Sequence, residues 1–127
     1  AARRAARQMA PAVLAGLRTD ADALDRDRSA PDWVPRALDF DLRFHDAIAE
    51  AAGNRRLQAD IARYRLLVRA FCRMTGSPKN LSDALQEHRA ILAALEARDS
   101  AAAARHAASH VDNRFKIVLD ELFPEDA

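Results

Sequence analysis

Large apolar residues return at intervals of three and four along nearly the whole chain, and that spacing commits it to helices. After Pro11 they fall at Val13, Leu14, Leu17, Ala21 and Leu24; later at Leu85, Ile91, Leu92 and Leu95. Ala, Leu, Arg, Glu and Gln, found throughout the chain, favour helix, and β-branched residues are scarce. Three Gly and five Pro in 127 residues are too few for a turn-rich β protein. The length fits one domain over residues 1–127. One cysteine, Cys72, excludes an internal disulfide and any CxxC metal knuckle. A net charge of +1 argues against a strongly basic nucleic-acid surface. No apolar run approaches the roughly 18–20 residues that span a bilayer, so no membrane partner is expected.

Punctuation divides the chain into an all-α antiparallel bundle of about six helices. The stretch Ala1 to Met9 reads as the tail of a longer, truncated helix. Pro11 suits the first turn of the second. Asp25 to Pro35, charged and then bounded by Pro31 and Pro35, reads as a loop, with Trp33 as a packing aromatic in it. A third helix carries Leu38, Leu42, His45, Ile48 or Ala49, and Ala52 on one stripe, with Asp41 beside it. Gly53-Asn54 stops it, because Gly tolerates the left-handed conformation that ends helices. A fourth runs from about Arg55 to Met74, with Leu57, Ile61, Tyr64, Leu67, Val68 and Phe71 inward. Thr75 to Asn80 reads as a loop, and Ser82 as the N-cap of a fifth helix. After the turn Arg98-Asp99-Ser100, Asp99 or Ser100 caps a sixth. Its inward set is Ala103, Ala107, His110, Val111, Ile117, Val118 and Leu122 before Pro124.

Of the four histidines, His45, His88 and His110 lie on the apolar stripes of three different helices. A buried imidazole needs a partner for each ring nitrogen, and several can share one metal ion. Asp41 and His45, four apart, project from one face one turn apart, which is ligand spacing. His106 stands four residues before His110 and reads as a surface or rim residue. Asp46 points about 100° away from His45, and Asp39 is a weaker substitute ligand than Asp41. Cys72 reads as a small buried apolar residue.

These residues resemble a known family. Asp41-Leu-Arg-Phe44-His45-Asp-Ala-Ile48, then Ala52-Gly53-Asn54 and Leu57, looks like the D-x-x-F-H-x-x-I…A-x-G-N-x-x-L signature of the FadR-like C-terminal domain of GntR-type bacterial transcription regulators. Glu87-His88-Arg-Ala-Ile91 resembles its E-H-x-x-I. Asp99, Ala103 and Ser109-His110-Val111 resemble its last segment, with Arg98 where the family usually has Gly. The resemblance covers roughly residues 10–120 and implies an antiparallel helical bundle that binds small organic acids. In many members an Asp and three His hold a divalent metal there, and those positions map onto Asp41, His45, His88 and His110. Zinc is the expected ion, with nickel or manganese as alternatives. The resemblance also implies a cytoplasmic homodimer that reaches DNA only through an N-terminal winged helix-turn-helix domain not contained in this chain.

The arginines of the fourth helix, Arg63, Arg65, Arg69 and Arg73, read first as a solvated face. Arg65 stands at the edge of the buried stripe, and Arg114 follows His110 by one turn. With Arg69, these two are the guanidinium candidates for an effector carboxylate. The expected role is a sensor, not an enzyme: the four ligands leave coordination positions that a carboxylate can fill. The alternative is a mononuclear metal-dependent hydrolase or lyase, which needs a general base beside the reacting water. No HExxH occurs, and Glu87, although next to His88, points elsewhere on its helix. A di-iron bundle needs E-x-x-H pairs, which are absent from a chain with five Glu. A helical adaptor with a purely structural ion is the remaining rival.

Overall fold

The computed structural model describes residues 1–63 and 78–124. Six helices follow one another, with no strand among the described residues: α1 (Ala2–Gln8), α2 (Pro11–Arg26), α3 (Trp33–Ala51), α4 with described helical residues 55–63, α5 (Pro78–Glu96) and α6 (Ser100–Leu122). Sequential helices that pack on each other across a short connection are α2 with α3 and α5 with α6. The closest is α5 against α6, and α1 also packs on α6, with α2 and α3 completing the bundle around α5. The all-α bundle expected from the periodicity is therefore the observed architecture. No described helix is long and apolar enough to cross a membrane.

Pro11 occupies the first position of α2, where a missing N–H costs nothing. Leu14, Leu17, Ala21 and Leu24 are buried, whereas Val13, one step round the helix, is exposed. The loop expected over Asp25 to Pro35 is shorter: α2 continues to Arg26 and α3 begins at Trp33. Pro35 falls in the first turn of α3, where proline is compatible with helix. Trp33 is thus the first residue of that helix, and its indole Nε1–H donates to the Leu24 carbonyl at 2.8 Å, satisfying one of the free carbonyls that end α2.

Helix α3 buries Ala37, Phe40, Phe44 and Ile48 as its main stripe, with Leu42 and Ala49 beside it. The expected stripe through Leu38 is rotated, since Leu38 is only half-buried. Phe40 and Phe44, with ring centroids 5.8 Å apart, form the floor on which the centre of the molecule rests. Gly53 stops α3 as expected, with φ +68°. Its N–H and that of Asn54 bond the Glu50 and Ala49 carbonyls at 2.9 and 3.0 Å. Asn54 Oδ1 then accepts from Leu57 N at 3.0 Å, capping α4.

Helix α5 is already under way at Pro78, so Ser82 lies inside it and Lys79 pairs with Asp83 one turn on. The loop expected over Thr75 to Asn80 therefore ends sooner. Asp99 does cap α6, accepting from Ala102 N at 3.0 Å. Ala103 and His110 face inward, but Val111 and Leu122 are 62 % and 55 % exposed, because both lie off the face that Ala103 and His110 turn inward. Tyr64, Leu67, Val68, Phe71 and Cys72 lie outside the described residues.

Small residues allow α1 to lie close on α6: Ala5, Ala6 and Ala103 have no exposed surface. Arg98 secures the same junction. It ends α5 with φ +56°, a left-handed conformation that side chains disfavour. Its guanidinium Nη1 donates to the Met9 and Ala6 carbonyls at 2.7 and 3.3 Å, tying down the end of α1. The conformational strain is of the order of 1 kcal/mol, and hydrogen bonds from a charged donor contribute about 1.5–3 kcal/mol. Arg98→Gly is accordingly expected to destabilise the chain by about 1 kcal/mol net, with amide exchange accelerating first in α1. A stabilised variant with unchanged exchange there would contradict this role for Arg98.

Candidate metal centre

Three helices deliver four ligand atoms to one point. Asp41 and His45 stand one turn apart on α3, His88 comes from α5, and His110 from α6. One atom from each of the four lies within 4.8 Å of the other three. His88 Nε2 is 3.2 Å from His45 Nε2 and 3.2 Å from His110 Nε2. Asp41 Oδ1 lies 3.1 Å from His88 Nε2 and 3.4 Å from His45 Nε2. All four residues expected to be ligands are therefore brought together.

Packing fixes the rings. Phe44 lies against the His88 imidazole with centroids 4.7 Å apart and against His45 at 5.5 Å. His45 and His110 stack at 5.3 Å. His88 and His110 are buried, at 2 % and 5 % exposure, whereas the side chains of Asp41 and His45 keep 28 % and 32 %. The less covered side of the cluster is thus the α3 side.

Donor chemistry and spacing both fit a divalent ion. Two nitrogens bound at about 2.0–2.1 Å to one tetrahedral ion stand about 3.3 Å apart. Four of the six pairwise separations, 3.1 to 3.4 Å, match that spacing, and all six lie within 4.8 Å. Three imidazole nitrogens pointed at one another satisfy few of their hydrogen-bonding needs among themselves, since two bare nitrogens repel and two N–H groups clash.

The electrostatics hold Asp41, His88 and His110 in the forms a metal needs. Burial opposes ionisation of Asp41, but hydrogen bonds from His45 and His88, and their charges, outweigh it and hold the carboxyl well below the usual carboxylate range. Burial lowers His88 below the ordinary histidine value, with Asp41 opposing. Burial, followed by the charges of His88 and His45, pushes His110 down to about 3.

The other described sequence candidates lie elsewhere. His106 is exposed, as expected for a surface residue, and so is Asp46. Asp39 pairs with Arg43 at 2.8 Å and stays out of the cluster. Arg65, Arg69 and Arg73 fall outside the described residues. Arg114 is engaged by Glu87 Oε1 at 2.7 Å and by the Asn80 carbonyl at 2.9 Å. Glu87 points away from the His88 ring, as its place on the helix requires, and meets His110 from behind, with Oε2 3.5 Å from Nδ1. That contact was missed in the sequence; its only signals are Glu beside His88 and Asn113 and Arg114 three and four residues after His110. A groove of about 350 Å³ between α5 and α6 opens beyond Glu87 and Arg114 and is lined by none of the four ligands.

An all-helical bundle with an Asp and three His gathered at its centre is the class that fold and site define. The FCD domain model matches residues 1–113, a span that contains all four clustered residues. The chain belongs to this family, the FadR C-terminal domain of GntR-type regulators. Comparison with curated proteins found no match, and neither did comparison with solved structures.

In the unfolded chain His110 takes up a proton near pH 6.5; in the folded chain it resists until about pH 3. The unfolded state therefore binds more protons across that window, and the metal-free fold loses stability as pH falls through it. Asp41 adds a further loss below its ordinary 3.8, where only the unfolded carboxyl is protonated. For chelator-treated protein, His110 alone is expected to cost about 2 kcal/mol between pH 7.5 and pH 5, read as a lower urea midpoint. A midpoint that does not move over that range would contradict the buried, neutral imidazoles.

Proposed function

We propose that this chain is the sensing domain of a GntR-type transcription regulator. In this reading Asp41, His45, His88 and His110 hold one divalent metal ion, zinc first and nickel or manganese as alternatives. A small organic acid is the effector. The carrying observation is the approach of three Nε2 atoms and one carboxylate oxygen from three helices. The ion would supply coordination positions beyond the four protein ligands, which a ligand carboxylate can fill.

The protein's own part is mechanical. Its ligands sit on α3, α5 and α6, so an effector that is held more tightly in one arrangement of these helices than in another shifts the population toward it. A DNA-binding domain joined to this one would read that shift, in the homodimer that the family resemblance implies. Differential affinity is essential, because equal binding to both arrangements moves nothing. FCD domains belong to regulators, which are generally not enzymes. The hydrolase alternative lacks support at its weakest requirement: Glu87, the carboxylate weighed as a base, is placed behind His110 and tied to Arg114.

Elemental analysis of protein purified without an affinity tag tests this reading. One equivalent of a divalent transition metal is expected in the wild type. Loss is expected in His88→Ala and in the less buried His45→Ala, which disturbs the core less. In a thermal-shift screen, small carboxylates at about 100 times their Kd should stabilise the metal-loaded wild type by about 2.7 kcal/mol and leave the metal-free chain unmoved. Equal stabilisation with and without metal would contradict an effector bound through the ion.

A further inference from the structure

Behind His110, away from the other ligands, a small polar network has no role in the reading given so far. Its members are Glu87 on α5 and Asn113 and Arg114 on α6. Glu87 Oε2 accepts from Asn113 Nδ2 at 3.2 Å, and Glu87 Oε1 pairs with Arg114 Nη2 at 2.7 Å. Arg114 Nη1 in turn donates to the Asn80 carbonyl at 2.9 Å. The carboxylate is therefore held from two sides. Its Oε2 faces His110 Nδ1 at 3.5 Å, and that nitrogen is buried with no hydrogen-bond partner.

Hydrogen positions follow from the contacts. Asp41 Oδ1, an ionised carboxylate, accepts only, and it lies 3.1 Å from His88 Nε2. The hydrogen there belongs to His88. His110 Nε2, 3.2 Å from the same His88 atom, must then present a lone pair. A neutral imidazole with a bare Nε2 carries its hydrogen on Nδ1, and Nδ1 is the atom that Glu87 faces.

We propose, resting on the metal reading above, that Glu87 is a positioning residue for the centre: its carboxylate, clamped by Arg114 and Asn113, receives His110 Nδ1–H and so keeps the Nε2 lone pair turned toward the ion. A histidine ligand whose far N–H meets a carboxylate has a fixed ring orientation and a more basic ligating nitrogen. A closure of about 0.5 Å brings the 3.5 Å contact to ordinary hydrogen-bond length. Arg114 has two consequences here. It balances the Glu87 charge while no ion is bound, and it stops the carboxylate from swinging into the adjoining groove. The pair also explains why a half-buried acid is tolerated one residue from His88.

The rival is a Glu87–Arg114 pair that merely fastens α5 to α6. Two measurements separate the roles. Long-range ¹H–¹⁵N NMR of histidine-labelled, metal-free wild type at pH 7.5 reads the His110 tautomer without any metal. The Nδ1–H form is expected. In the double variant Glu87→Leu with Arg114→Met, which removes both charges and preserves an apolar contact between the helices, the Nε2–H form should become populated. Chelator-competition titration with zinc chloride should show a Kd about 10–100-fold weaker in that variant, provided its circular dichroism is unchanged; Glu87→Gln, which keeps the shape, should move the same way by less. Wild-type zinc affinity in the folded double variant, or a wild-type His110 protonated on Nε2, would overturn the role of Glu87. A wild type that takes no zinc would contradict the metal reading, and the tautomer result would still decide whether Glu87 orients His110.

Discussion

Two imidazoles, His88 and His110, sit almost wholly out of water where α3, α5 and α6 meet, and each carries two nitrogens that need partners. Burying a polar nitrogen without a partner costs on the order of 1–3 kcal/mol. The cluster is therefore an expensive way to fill a core unless its members share something. Asp41 supplies one acceptor to two of the rings at 3.1 and 3.4 Å, which is too little for three. A shared cation satisfies all three Nε2 atoms at once. The rest of the bundle is arranged so that this meeting occurs: Phe40 and Phe44 support the rings from below, and the short α5–α6 connection holds His88 and His110 in register.

The periphery contributes stiffness to that arrangement. Asp99 caps α6 directly after Arg98 has ended α5 in a left-handed turn, so the helices bearing His88 and His110 are joined by a connection with few free torsions. The Arg98 guanidinium also holds α1, whose alanines lie flush against α6. Trp33 closes the opposite corner by joining the end of α2 to the start of α3, the helix that carries Asp41 and His45. In the proposed reading, ligands on three separately anchored helices report a change at the centre as relative helix motion, which is the output a sensor requires.

Much of this was legible in the sequence, for a physical reason. Helical periodicity turns residue number into direction, so Asp41 with His45, and His88 and His110 on their stripes, can be placed on inward faces before any fold is known. The same rule failed where residue type was allowed to outweigh phase. Val111 is apolar but lies about 100° round the helix from His110, and the structure leaves it exposed. Pro35 reads in the sequence as the edge of a loop, although a first helical turn accepts it. The Glu87–His110 contact is not legible because it is a distance between two helices, and the Arg98 contact with α1 because it and the backbone conformation behind it exist only in the folded chain.

Zinc K-edge X-ray absorption on the zinc-loaded chain tests the central claim most directly, since it reads the atoms around the ion without reference to any fold. Three imidazoles and at least one oxygen at about 2.0–2.1 Å are predicted, with multiple scattering from the imidazole rings. A shell made of oxygen alone, or one with fewer than two imidazoles, would contradict the account and leave the three histidines as an unexplained polar core.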